Sequence, residues 1–180
     1  MRQIRKILVP TNLSEDSRRG LRYACALAAD EKATLMVLHV ANEFQAWELF
    51  SDELAFYSFE KPWPIDRILS EASVDLHRFL EPHLESMRNI PRVTKRVLTG
   101  PVAHRIVSTA DEESVDLIVM SPRRERRLQF VLTASITDRV TRMSPCPVLS
   151  ITPPPQPRSQ RGRFVSTLFG SIRPKLAPQS

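Results

Sequence analysis

Leu117-Ile118-Val119-Met120-Ser121-Pro122-Arg123-Arg124-Glu125-Arg126-Arg127 opens the stretch on which the fold turns. Thr133 to Met143 and Pro147-Val148-Leu149-Ser150-Ile151 complete it. A continuous apolar run, a charged loop, a helical pattern and a second apolar run make a strand–loop–helix–strand unit. The same rhythm extends outward from it. Lys6 to Pro10 is a short apolar run ending in proline, and Ser14 is placed to cap a helix from Glu15 to about Glu31. Leu21, Ala24, Cys25, Ala28 and Ala29 share one face of that helix. Thr34 to Val40 reads as a buried strand, and Val93 to Leu98 alternates as a strand nearer an edge. Val102 to Ser114 reads as a helix turning Val102, Ala103, Ile106, Val107 and Ala110 to the sheet. Strands alternating with helices predict an α/β protein, its parallel sheet covered on both faces by right-handed crossovers.

Two segments break the rhythm. Phe44 to Trp63 holds seven of the twelve aromatic residues, between the second strand and a long helix expected from Ile65 to about Met87. It reads either as a satellite cluster over the sheet or as a lid or partner surface, since aromatics are enriched at interface cores. Thr152 to Ser180, beginning with Pro153-Pro154-Pro155, reads as a basic Pro/Arg-rich disordered tail. It carries Arg158, Arg161, Arg163, Arg173 and Lys175 and no acidic residue, leaving 21 of the 26 basic and all 20 acidic residues before it. The net charge of +6 therefore belongs mainly to the tail, which argues against a nucleic-acid domain built on the fold itself. Phe164, Leu168, Phe169 and Ile172 among those cations leave contact with RNA or an anionic membrane open as a tail function.

A strand feeding a loop and a helix start is where α/β proteins hold phosphates, on converging N–H groups and the positive end of the helix. Such loops use glycine for tight turns and close approach. The loop here has none, and Pro122 removes a donor. Either no anion binds, or the guanidinium forks of Arg123, Arg124, Arg126 and Arg127 replace backbone amides.

Four segments together resemble the universal stress protein (UspA-like) domain over residues 4–151: Lys6 to Pro10, Ala33 to Val40, Ala110 to Met120, and Arg139 to Leu149 with its Pro145-Cys146-Pro147-Val148. Gly100-Pro101-Val102-Ala103 fits the same family. The resemblance implies a three-layer sandwich with a five-stranded parallel sheet, Rossmann-like in the manner of adenine nucleotide alpha hydrolases. It also implies a homodimer through the last strand, here Pro147, Val148, Leu149, Ser150 and Ile151. ATP-binding members carry Gly-x-x-Gly, nine residues, then Gly and Ser or Thr. Those positions are Ser121, Arg124, Ala134 and Ser135, so only the hydroxyl is kept. The usual Asp after the first strand is Asn12, and the following Gly is Leu13. Any ATP or AMP would by resemblance meet Pro10, Thr11, Asn12, Val40, Met120, Ser121, Arg123, Arg124, Arg126, Arg127, Ala134, Ser135 and Ile136.

No nucleophile–base pair or metal set stands out. His39 lies in an apolar strand, His77 and His83 flank the long helix, His104 reads as surface, and Ser135 reads as a cap. Cys25 and Cys146 read as structural thiols in a reducing compartment. Met1 to Lys6 offers no signal-peptide core, and the expected location is cytoplasmic. The expectation is a non-enzymatic stress-response dimer with no cofactor and no metal, acting through protein contacts. Phe44–Trp63 is its candidate partner surface. The alternative is an ATP or AMP sensor built on the arginines.

Overall fold

The computed structural model describes residues 3–41, 65–122 and 135–152. Five parallel strands form one sheet: β1 (Lys6–Thr11), β2 (Thr34–Ala41), β3 (Arg92–Thr99), β4 (Leu117–Met120) and β5 (Val148–Ser150), in the order β3-β2-β1-β4-β5. The α-helices among the described residues are α1 (Glu15–Asp30), α2 (Ile65–Leu80), α3 (Leu84–Met87), α4 (Val102–Glu112) and α5 (Ile136–Met143).

Alternation along the strands divides the core into two halves, because successive side chains point to opposite faces. Ile7, Val9, Leu35, Val37, Leu117 and Val119 pack on one face with Leu21, Ala24 and Cys25 of α1 and Leu76, Phe79 and Leu80 of α2. Leu8, Met36, Leu38, Val40, Ile118 and Met120 pack on the other with Ala103, Ile106 and Ala110 of α4 and Val140 of α5. The central strands β1, β2 and β4 are therefore mostly apolar on both faces, while the edge strand β3 is half-buried, and the sandwich has three layers.

One expected element is divided. The helix predicted from Ile65 to about Met87 ends at Leu80, gives way to a 3-10 turn over Glu81–His83, and resumes as α3. Pro82 lies in that turn. Its ring cannot donate an N–H and would clash with the carbonyl four residues earlier in a continuous α-helix. Ser14 caps α1 as expected, its Oγ accepting from the Ser17 amide at 3.4 Å. At the N-terminal edge of the sheet, Asp116 Oδ2 accepts from the amides of Arg5 (2.9 Å) and Lys6 (3.0 Å), tying β1 to the turn before β4. The aromatic segment Phe44–Trp63 and the tail from Pro153 lie outside the described residues.

Candidate functional site

β2 and β4 flank β1, so the chain leaves β1 toward one side of the sheet and later returns on the other. A crevice at the C-terminal ends of such strands is where open α/β sheets receive ligands. The β1–β4 ladder pairs Ile7 with Leu117 and Leu8 with Ile118, and Pro10 offers no N–H further along. Pro10, Thr11, Asn12, Val40, Met120 and Ser121 all gather at this edge. Ser135 and Ile136 begin α5. Arg123, Arg124, Arg126, Arg127 and Ala134 lie outside the described residues.

The polar groups at the end of β1 are bonded mainly to one another. Thr11 Oγ1 is buried, lies 2.9 Å from Ser17 Oγ and accepts from the Leu13 amide at 3.0 Å. Asn12 Oδ1 accepts from the Ser14 hydroxyl at 2.6 Å and from the Ser14 amide at 3.2 Å. This Asx turn commits the carbonyl oxygen to the chain itself. Leu13, where the resemblance expects a glycine, has φ +60°, a left-handed conformation that glycine adopts more easily. His39 is buried, and its Nδ1–H donates to the Thr11 carbonyl at 2.9 Å. Burial lowers its pKa, against the raising effect of that hydrogen bond.

Ser121, where the resemblance expects a glycine, follows the end of β4. Its Oγ is enclosed without a hydrogen-bond partner, and a Cβ placed on Gly20 of α1 would lie 2.7 Å from it. Gly20 thus permits α1 to approach this strand end. Ser135 is the N-cap of α5, as read, and it forms a capping box that the sequence reading did not name. Ser135 Oγ accepts from the Asp138 amide at 3.1 Å, while Asp138 Oδ2 accepts from the Ser135 amide at 3.2 Å. The pattern Ser135-Ile136-Thr137-Asp138 was the available signal.

The other titratable candidates stand apart. His77 Nδ1 lies 3.1 Å from Lys95 Nζ at the surface, His104 is exposed, and His83 is buried against Arg18. Burial pushes the Cys25 thiol up to about 11, leaving it protonated and unreactive at neutral pH. Among the described residues no three His, Cys, Asp or Glu side chains converge as a metal site. Among them, too, no helix is long and apolar enough to cross a membrane.

Residues 3–151 match the sequence pattern of the Universal stress protein family. The chain belongs to that family. Universal stress protein YxiE of Bacillus subtilis is 29% identical over 147 residues, covering 81% of this chain and 97% of that protein. Universal stress protein MJ0577 of Methanocaldococcus jannaschii is 26% identical over 157 residues, covering 82% and 94%. The solved structure of MJ0577 superposes with a TM-score of 0.62 over 84% of this chain and 98% of that one. A universal stress protein solved in complex with cAMP shares the fold at 19% identity and a TM-score of 0.61, over 83% and 98% of the two chains.

Proposed function

We propose that this universal stress protein is a non-enzymatic regulatory homodimer that acts through protein contacts and lacks family-type ATP binding. The observation that carries this reading is the capping box at α5. The helix start that would receive phosphate already holds the Asp138 carboxylate, hydrogen-bonded to the Ser135 amide. An anion arriving there would meet a like charge and a donor already in use. Asn12 supports the same reading, since its Oδ1 is occupied by Ser14 rather than left for a ribose or base. Ser121, Arg124 and Ala134 in place of glycines remove the close backbone approach that a phosphate cradle needs.

The dimer is proposed through β5. Val148, Leu149 and Ile151 are only half-buried at this edge of the sheet, and an open strand edge is a template for pairing across a two-fold axis. Phe44–Trp63 is the proposed surface for other protein partners, and the cytoplasm the proposed location. Contact of the tail with RNA or an anionic membrane is a further proposal on its five cations and its apolar residues.

A second reading, an ATP or AMP sensor, is favoured by the unpartnered Ser121 Oγ at the strand end, which has hydrogen-bonding capacity to spare. In that reading Arg123, Arg124, Arg126 and Arg127 grip the phosphates. Isothermal titration with ATP, AMP and inorganic phosphate, with and without magnesium, tests the two. The first reading expects no heat at millimolar nucleotide. Micromolar ATP affinity that Arg124→Ala and Arg126→Ala weaken would establish the second in its place.

A further inference from the structure

His83 belongs to no part of the candidate site, yet it is buried, and one hydrogen bond fixes the tautomer of its neutral ring. It ends the 3-10 turn between α2 and α3, and its Nε2 lies 3.3 Å from Arg18 Nη1 of α1. Arg18 Nη1 also donates to the Phe79 carbonyl at 3.2 Å. The guanidinium carbon sits 4.6 Å from the centroid of the Phe79 ring, and Glu15 holds Arg18 Nε at 2.9 Å. Arg18 is thus held in place by contacts on three sides.

A guanidinium can only donate, so the imidazole Nε2 facing it must be the unprotonated acceptor, and the ring proton resides on Nδ1. Protonation would make both ring nitrogens donors and place two cations in contact. The hydrogen bond would become a repulsion. We propose that the Arg18–His83 pair is an acid-releasable clasp that fastens the corner between α2 and α3 to α1, with the proton as its ligand.

The surrounding groups favour the neutral ring. Burial opposes the charged form most, Arg18 and Arg22 of α1 oppose it further, and Glu15 of α1 works the other way. In its own segment the nearest charges in sequence are Glu81 and, on α2, Arg78, which is paired with Asp75 at 3.0 Å. On α3, Glu85 is drawn to Arg88 at 2.8 Å. The corner rests on a short element that can open locally. α3 has four residues, and Leu84 is half exposed.

The test follows the imidazole nitrogens and the amide hydrogen exchange of the full-length chain by NMR, from about pH 7.5 to about pH 5. His83 is expected to take up its proton below the ordinary histidine range. The amides of residues 81–88 should open in step, by up to about tenfold per pH unit. The His83→Gln variant, whose side chain accepts from Arg18 without titrating, is expected to keep these amides protected. Protonation of His83 at or above the ordinary range would overturn the proposal, as would unchanged protection once it is protonated. So would an His83→Gln profile identical to wild type. If that variant does not fold, the comparison of ring and amides in the wild type decides alone. Opening caused by His39 would appear at Thr11 to Ser14 and along β2 instead.

Discussion

Ser135 and Asp138 cap each other at the start of α5, hydroxyl to amide at 3.1 Å and carboxylate to amide at 3.2 Å. The pair satisfies two of the helix's orphan donors and puts a negative charge at its positive end. Asp138→Ala is expected to cost about 1 kcal/mol of stability, read by urea denaturation. Asp138→Asn can keep an acceptor at the Ser135 amide while removing the charge. If the carboxylate is what excludes phosphate, this variant gains affinity for inorganic phosphate over wild type. Unchanged titration curves would place the obstacle in the missing glycines instead.

Gly20 and Ser121 should behave as a coupled pair. Alanine at position 20 gains about 1 kcal/mol of helix propensity, but its Cβ would sit 2.7 Å from Ser121 Oγ. Ser121→Ala removes that atom together with an enclosed hydroxyl that has no partner. The new methyl of Gly20→Ala would then meet the residue 121 amide nitrogen at 3.4 Å and Cβ at 3.5 Å, both ordinary contacts. The double variant is expected to exceed the sum of the two single changes by roughly 1 kcal/mol in a double-mutant cycle. Strict additivity would show that Ser121 turns away from the methyl at little cost.

Two helices end in left-handed residues that are not glycine. Lys32 follows α1 at φ +52°, with the Ala33 amide on the Ala28 carbonyl at 2.9 Å and the Lys32 amide on Ala29 at 3.3 Å. Ser114 follows α4 at φ +50°, with the Val115 amide on Ala110 at 2.9 Å and the Ser114 amide on Asp111 at 3.0 Å. Both are Schellman ends, where a Cβ is a burden. Lys32→Gly and Ser114→Gly should each raise stability by about 0.5–1 kcal/mol, net of the entropy glycine loses on folding. Lys32 also gives up a cation favoured at a helix C-terminus, so Ser114→Gly should gain more. Thermal melts of the two variants in reverse order would argue that the lysine's charge was worthless there.

The alternation of apolar runs with helical spacing made the sheet legible from sequence, because strands buried on both faces carry mostly apolar residues. Ile7 to Val9 and Leu117 to Met120 therefore announce themselves. Ser14 and Ser135 were legible as caps for a similar reason, since cap chemistry is local. Pro82 was also a local signal, and reading through it produced one long helix where the chain makes a helix, a 3-10 turn and a short helix. The Gly20–Ser121 approach and the Arg18–His83 bond were not legible. Each joins residues some 100 and 65 positions apart in the chain through packing that no spacing encodes. The candidate site was placed by topology and family likeness. The internal use of Asn12 Oδ1 emerges only from coordinates, because the same residue serves equally well facing a ligand.

His39 adds a pH dependence of determined sign. Burial lowers the folded-state pKa beneath the ordinary value of 6.5, so the unfolded chain binds the proton more readily. Its contribution is fully present above the ordinary histidine range and is lost as pH falls through the lowered folded value. His39→Asn keeps a donor for the Thr11 carbonyl without a titrating ring. Urea denaturation of this variant should show a flatter loss of stability below about pH 6.5 than wild type. An unchanged slope would assign the acid limb to other groups.

The proposed dimer can be tested by blocking one edge without touching the core. The Pro147 carbonyl accepts from the Ile118 amide at 3.0 Å, and the Ile151 amide donates to the Met120 carbonyl at 2.8 Å, so residues 147 and 151 turn their backbone groups toward β4. Strand alternation gives Leu149 the same direction and aims the backbone of Val148 and Ser150 outward. Ser150 is exposed, and proline there removes an outward N–H while leaving those two inward hydrogen bonds in place. Ser150→Pro should keep the fold, read by circular dichroism, and shift sedimentation from dimer to monomer at micromolar concentration. A wild-type chain already monomeric under those conditions would remove the dimer from the proposed function. A variant that stays dimeric would move the interface off the edge of β5, to a surface where residue 150 plays no part.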